Sequence, residues 1–163
     1  MNFLKISTGI FLILALSRFV PHPPNFTSLI ALSFYVPALF GTRYLPVLII
    51  SFIITDLFIG LHGLALFTWG SVIFIGIFAK FFNKNRLNRM MGALSGAIVF
   101  YVVTNFGVWS LGSYGYTAEG LMMCYTLALP FFGYTLVSTI IFSFIIEFVY
   151  HFLLLRKFKS KKI

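Results

Sequence analysis

Long apolar runs recur along this chain from one end to the other, and they constrain its fold more than any other feature. Hydrophobic residues make up 60% of the 163 residues, charged residues make up 9%, and the mean hydropathy is +1.02. A helix that crosses a bilayer needs about 20 mostly apolar residues, and a water-soluble domain of this size does not need so much apolar surface. The pattern therefore predicts an all-α integral membrane protein, with one domain over residues 1–163.

Helix-breaking residues divide the apolar sequence into about six segments. Prolines at 21, 23 and 24 end the first segment, and Gly41 and Gly60 end the next two. The predicted helices are 3–20, 28–40, 45–59, 64–82, 90–111 and 130–155, followed by a basic tail at 156–163. The segment 112–129 is more mixed and predicts a short interfacial helix starting near Thr117. The second helix is short, so we expect it to tilt, to thin the bilayer or to lie among its neighbours.

The basic residues predict the orientation of the bundle. With six spans and the N-terminus inside, eleven of the twelve lysines and arginines fall in cytoplasmic segments: Lys5, Arg43, Lys80, Lys84, Arg86, Arg89, Arg156, Lys157, Lys159, Lys161 and Lys162. Only Arg18 falls outside. Lysine and arginine are enriched on the cytoplasmic side of membrane proteins. The distribution predicts a multi-pass protein of the cell inner (plasma) membrane with both termini in the cytoplasm, and it makes the net charge of +9 weak support for nucleic-acid binding.

Two ionisable residues lie within the predicted outer thirds of helices. A charged side chain near the middle of a span costs about 2.5–3.5 kcal/mol on insertion scales, so such residues usually face the protein interior and have a partner. Arg18 at the end of the first helix and Asp56 late in the third are therefore predicted to pair. The pair has two interpretations at this point: it orients a polar substrate, or it is a structural ion pair. Glu147, near the inner end of the last helix, is expected to be an interfacial residue that pairs with a nearby basic residue such as Arg43.

The other candidate substrate-binding residues also fall in the outer segments, namely His22, Asn25, His62, Asn105, Trp109, Cys124 and Tyr125. His22 and Asn105 would supply hydrogen bonds, and Trp109 and Tyr125 would stack on the ligand. Each has a structural alternative. An amide within a span often bonds a neighbouring helix, and Trp109 and Trp69 are of the type that forms an interfacial aromatic belt. The proline-rich loop at 21–27 fits either a preorganised lid or a stiff helix connection.

The sequence contains no recognisable catalytic or metal-binding motif. His22, Asp56, His62 and Cys124 are all possible metal ligands, but their spacing matches no metal motif, and HExxH, Walker and Rossmann glycine patterns are absent. We therefore expect no metal, no cofactor and no enzymatic activity. An intramembrane enzyme is the alternative, and it would need these groups within hydrogen-bond reach of one another.

Several motifs together resemble an uncharacterised family of small bacterial membrane proteins that is similar to the S components of energy-coupling-factor (ECF) vitamin transporters. They are Arg18 with the loop PHPPNFT at 21–27, TDLFIG at 55–60 followed by His62, TNFGVW at 104–109, and Gly120-Leu121 with Cys124-Tyr125 and ALPFF at 128–132. The resemblance covers nearly the whole chain.

The resemblance implies a six-helix bundle that binds a micronutrient from the outer side beneath a lid formed by the first loop. It also implies a coupling subunit with two ATPases as a partner. The first helix lacks the small-residue docking motif that many S components carry, and the chain has no acidic residue near Thr139. A solitary transporter thus remains open, including a cobalamin-type transporter that uses Cys124. The alternative from a different class is a scaffold or accessory subunit of a membrane complex.

Overall fold

The regular structure of this chain is helical throughout the part that the structure describes. The computed structural model describes the backbone of residues 3–160 and the side chains of residues 3–152. Within it lie α1 (Phe3–Phe19), α2 (Leu29–Phe40), α3 (Leu45–Ile59), α4 (Ala65–Phe78), α5 (Arg86–Ser110), α6 (Ala118–Leu127) and α7 (Leu129–Ser160). Short 3-10 turns at Thr42–Tyr44 and Ala79–Phe82 precede α3 and follow α4. Residues 161–163 of the predicted basic tail lie outside the described residues.

Side-chain caps explain where two of the helices begin. The Asn85 side chain accepts a hydrogen bond from the backbone N–H of Asn88 at 2.8 Å, so α5 starts at Arg86, four residues before the predicted position 90. The Thr117 hydroxyl accepts from the N–H of Gly120 at 3.0 Å and starts α6. The prediction of a short helix beginning near Thr117 is therefore confirmed.

Four helical stretches are long and apolar enough to cross a membrane. They are Thr42–Ile59, Ala65–Phe82, Arg86–Ser110 and Leu129–Phe152. α1 has 17 residues and α2 has 12. The all-helical, membrane-compatible character predicted from the sequence is thus supported by these four stretches.

The short helix α2 lies at the centre of the bundle. Every residue from 29 to 38 is buried, and α2 packs against α1, α3, α4, α5 and α7. Phe34 and Tyr35 are among its largest enclosed side chains. Because protein surrounds α2 on all these sides, its side chains make the core to which the longer helices attach.

Contacts at the helix ends show that the long helices alternate in direction. Ser17 near the end of α1 hydrogen-bonds Ser28 just before α2 at 2.7 Å, and Arg18 reaches Asp56 near the end of α3. Trp69 near the start of α4 also contacts Asp56. Together these contacts define one end of the bundle, which we call the Arg18 end.

The opposite end of the bundle is joined by an ion pair that differs from the predicted one. Glu147 accepts two hydrogen bonds from Arg89, at 2.6 and 2.7 Å, so its predicted pairing with a basic residue is confirmed, but Arg43 as the partner is wrong. Arg89 lies in the first turn of α5, which packs directly against α7 where Glu147 lies. Arg43 sits in the 3-10 turn before α3, with its guanidinium 5.0 Å from the centre of the Tyr44 ring. We call this the Arg89 end.

Candidate functional site

A cavity with two adjoining lobes lies at the Arg18 end of the bundle. The first lobe, of about 250 Å³, is lined by Arg18, His22, Asn25, Thr27, Leu29, Ile30, Phe52, Ile59, His62, Thr68, Phe100 and Thr135. The second lobe, of about 320 Å³, is lined by Asn25, His62, Leu64, Thr68, Phe100, Tyr101, Thr104, Asn105, Val108, Ala128, Phe131, Phe132 and Thr135. Asn25, His62, Thr68, Phe100 and Thr135 line both lobes, so the two lobes adjoin one another.

Arg18 forms one wall of the first lobe and is held in place by α3. Its Nη2 lies 2.5 Å from the Asp56 carboxylate, and its Nη1 donates to the Thr55 hydroxyl and to the Phe52 carbonyl oxygen. The guanidinium carbon also lies 4.7 Å from the centre of the Phe52 ring. The predicted pairing of Arg18 with Asp56 is therefore what the structure shows, and three residues of α3 hold the arginine in place.

Asp56 itself is enclosed behind Arg18 and lines neither lobe. Its side chain is 1% exposed, and its second carboxylate oxygen accepts a hydrogen bond from the Trp69 indole at 2.7 Å. Both carboxylate oxygens are thus occupied by protein donors. Asp56 can therefore act on a molecule in the cavity only through Arg18, as a positioning residue.

The proline-rich loop carries His22 and Asn25 to the cavity in a fixed conformation. The backbone N–H of Phe26 donates to the Pro23 carbonyl oxygen at 3.0 Å, and His22 Nδ1 donates to that residue's carbonyl oxygen at 2.7 Å. Asn25 has a positive φ of 62°, a backbone conformation that asparagine tolerates better than most residues. The exposed Asn25 side chain lines both lobes, so the loop borders the cavity where it meets the surface.

The loop after α3 supplies His62 to the same opening. Gly60 ends α3 with a positive φ of 123°, and the His62 carbonyl oxygen accepts from the N–H of Ala65 in the turn that leads into α4. The His62 side chain is exposed and lines both lobes. His62 and Asn25 thus come from different loops and meet at the shared part of the cavity.

The structure brings five of the nine predicted binding residues to the cavity wall: Arg18, His22, Asn25, His62 and Asn105. Asp56 supports Arg18 from behind. The remaining three lie where α6 attaches to α5. Trp109 Nε1 donates to the Thr117 carbonyl oxygen at 3.3 Å, the Cys124 thiol to that of Asn105 at 3.3 Å, and the Tyr125 hydroxyl to that of Val102 at 2.7 Å.

Cys124 is shielded from the cavity and from solvent. Its side chain is 2% exposed, and burial raises the pKa of the thiol above its ordinary value. A thiol with a raised pKa is a weak nucleophile and a weak metal ligand near neutral pH. Among the residues that the structure describes, no group of three or more histidine, cysteine, aspartate or glutamate residues is arranged to hold a metal ion.

Several cavity residues were not predicted. Thr68, Thr104 and Thr135 line the cavity, as do Phe100 and Phe132, while Trp69 completes the Asp56 network. Threonines at these depths give no distinctive signal, since the threonine hydroxyl commonly satisfies its own helix backbone. Trp69 does give a signal in the sequence, because an indole N–H at about the same depth as an enclosed carboxylate is a natural hydrogen-bond donor to that carboxylate.

A comparison with protein families gives a match over nearly the whole chain. Residues 2–161 match a family described as "Family of unknown function (DUF6580)". The chain belongs to this family. No curated protein and no solved structure matches the chain. Membership supports the uncharacterised-family part of the resemblance, whereas the similarity to ECF S components stays a prediction. The motifs that carried the resemblance, at 21–27, 55–62 and 104–109, lie at or beside the cavity of this DUF6580 chain.

Proposed function

We propose that this chain is a substrate-binding integral membrane protein that takes up a small organic micronutrient from the outer face of the cell membrane. The observation that carries the proposal is the cavity at the Arg18 end, where an arginine, two histidines and two asparagines from four segments of the chain converge. Cavities of a few hundred Å³ with mostly apolar walls and a few convergent polar groups are typical of small-molecule sites.

The proposed topology is six spans with both termini in the cytoplasm, in the inner membrane. The alternating helix directions support it, because Lys5, Arg43, Lys80, Lys84, Arg86 and Arg89 belong to segments at the Arg89 end. A span of 12 residues would be only about 18 Å long at 1.5 Å per residue. Protein encloses α2, however, so that helix does not have to match the thickness of the hydrocarbon core. This topology turns the cavity toward the outside.

An ECF-type coupling subunit with its ATPases is the proposed partner if uptake is driven by ATP hydrolysis, and a solitary transporter is the alternative. The cavity supports substrate binding over a role as a scaffold or accessory subunit, for which we expect a closely packed outer half. A cobalamin-type transporter that uses Cys124 as a ligand receives no support from the burial of that thiol.

Mass spectrometry of co-purified small molecules tests the proposal. The protein would be purified in a mild detergent and its bound molecules released and compared with those of His62→Ala and His151→Ala. Both histidines are exposed, but His62 lines the cavity and His151 lies on α7 toward the Arg89 end. We expect one compound to be enriched with the wild type and with His151→Ala and depleted with His62→Ala. Absence of any enriched compound, or equal retention by all three proteins, would contradict the proposal.

A further inference from the structure

The threonine hydroxyls in the cavity wall have a common polarity. Thr68, Thr104 and Thr135 each donate their hydroxyl proton to a carbonyl oxygen three or four residues earlier in the same helix, at 3.0, 2.7 and 2.9 Å. A hydroxyl has one proton and two acceptor lone pairs. With the proton engaged, each of these threonines can offer only an acceptor to a molecule in the cavity.

Asn105 adds to this acceptor character of the second lobe. One N–H of its Nδ2 donates to the Tyr101 carbonyl oxygen at 2.8 Å, while its Oδ1 has no partner among the described residues. The Tyr101 hydroxyl donates its proton to the Tyr125 carbonyl oxygen at 2.6 Å. Apart from the Asn25 amide and the second N–H of Asn105, the second lobe therefore presents acceptors, set among aromatic rings such as those of Tyr101 and Phe132, whose centres are 4.5 Å apart.

Arg18 lines only the first lobe and adds hydrogen-bond donors there. Of the five N–H groups on a guanidinium, two on Nη1 and one on Nη2 are engaged by α3. The Nε–H and the second Nη2–H have no hydrogen-bond partner in the described part of the chain. Because Asp56 lies on the α3 side of the guanidinium, these free donors mark the positive end of the ion pair.

The two histidines have no fixed polarity. The His22 Nδ1 is engaged by a carbonyl oxygen, so its Nε2 accepts when the ring is neutral and donates when it is charged. The His62 ring has no hydrogen-bond partner among the described residues and can do either. The groups with fixed roles are therefore Arg18 in the first lobe alone, Thr104 and Asn105 in the second lobe alone, and Thr68 and Thr135 where the two lobes meet.

We propose that the cavity takes a small, flat aromatic or heteroaromatic molecule with a carboxylate or carbonyl oxygen at one end and N–H groups at the other. The oxygen would accept from Arg18 in the first lobe. The N–H groups would donate to Asn105 in the second lobe and to Thr135 where the lobes meet, and the ring would pack against Phe100 and Phe132. The inference rests on the proposed function and specifies the chemistry of its substrate.

Three small probes test this polarity: 4-aminobenzoate, benzoate, which lacks the donor, and aniline, which lacks the acceptor. Binding to the detergent-purified protein would be measured by calorimetry and by the shift in thermal unfolding. We expect 4-aminobenzoate to bind about tenfold more tightly than either of the others, because each of them leaves one end of the cavity unpaired.

The Thr135→Val variant locates the amine. It keeps the shape of the side chain but removes the acceptor, so it should weaken 4-aminobenzoate severalfold and leave benzoate unchanged. Thr126→Val is the matched control, since the Thr126 hydroxyl also donates within its own helix, at 2.8 Å, but lies outside both lobes.

Two outcomes would overturn the inference while the proposed function stands. Benzoate or aniline could equal 4-aminobenzoate on the wild type, or Thr135→Val could weaken benzoate and 4-aminobenzoate alike. Failure of all three probes to bind at millimolar concentration would also overturn it. The co-purification experiment then separates the two proposals, because a compound lost from His62→Ala would keep the uptake function with a ligand of different polarity.

Discussion

The buried ion pair between Arg18 and Asp56 allows a quantitative test of how the Arg18 end is held together. Asp56 is 1% exposed and Arg18 is 13% exposed, so removing either charge leaves the other largely enclosed in protein. Breaking a buried pair in this way typically costs about 3–5 kcal/mol. We expect Asp56→Ala and Arg18→Met each to reduce the free energy of unfolding by about that amount.

The double variant gives the decisive number. With both charges removed, no uncompensated charge remains, and replacing a buried pair by apolar side chains is often close to neutral. The cost of Arg18→Met/Asp56→Ala should therefore be smaller than the sum of the single costs by at least about 2–3 kcal/mol. Trp69→Phe should lose about 1.5–3 kcal/mol, because it removes one hydrogen bond to the charged carboxylate.

Unfolding would be measured in mixed micelles by titration with sodium dodecyl sulfate and followed by far-ultraviolet circular dichroism. This signal does not depend on Trp69, which belongs to the network. Arg43→Met is the matched control, since Arg43 contacts the Tyr44 ring and has no carboxylate partner in the described residues, and we expect it to change stability by less than about 0.5 kcal/mol. Single costs that add to within about 0.5 kcal/mol would refute the reasoning.

Three further predictions concern the packing of the bundle. Glu147→Gln should cost about 3 kcal/mol in the same titration, because it leaves the Arg89 guanidinium, 13% exposed, without a carboxylate, and a loss below about 1 kcal/mol would contradict this. N-ethylmaleimide should label Cys124 far more slowly in the folded than in the unfolded protein at pH 7.5, because the thiol is buried and burial raises its pKa. The labelling rate should increase as the pH rises. Equal rates in the folded and unfolded protein would show that the thiol is accessible. Gly120→Ala should lower the midpoint of thermal unfolding, since the added Cβ would lie 2.2 Å from the Tyr114 carbonyl oxygen. Gly133→Ala is the control and should not lower the midpoint, because nothing lies within 4 Å of its added Cβ. Equal midpoints for the two variants would contradict the prediction.

The helix boundaries could be read from the sequence where strong breakers mark them and not where side-chain caps do. Gly41 and Gly60 end α2 and α3 at the predicted positions. The predicted start of α5 is four residues too late because Arg86, Asn88 and Arg89 are polar and make this stretch resemble a loop. Only the cap by Asn85 shows that they are helical, and a single asparagine among polar neighbours is a weak signal.

The central position of α2 could not be read from the sequence. Its apolar run has no polar face, which fits either a lipid-exposed or an enclosed helix. The difference depends on packing against helices that are distant in the chain, such as α5 and α7. Length alone would have argued against this helix, whereas its burial explains how so short a helix fits among longer ones.

The sequence indicates how far along each helix the candidate site residues lie, but it does not indicate which way their side chains point around the helix axis. The high cost of a charge within a span identified Arg18 and Asp56 as a pair, and the orientation placed the other polar residues at the same end. Depth does not distinguish a side chain that enters a cavity from one that bonds a neighbouring helix. Asn105 and Cys124 show the two cases at the same end of the bundle. Asn105 lines the second lobe, whereas the Cys124 thiol donates to the Asn105 carbonyl oxygen.

The proposed ligand gives a second test of Arg18 and Asp56, because the ion pair would set how strongly Arg18 attracts an anion. In Asp56→Asn combined with Trp69→Phe, the amide oxygen can still accept from Arg18, and the amide nitrogen no longer faces an indole N–H. The guanidinium keeps its place but loses its neutralising charge. Removing one negative charge several ångströms from a bound anion should strengthen benzoate binding about tenfold. Unchanged benzoate affinity in a folded variant would mean that Arg18 does not face the ligand and that the pair is structural only.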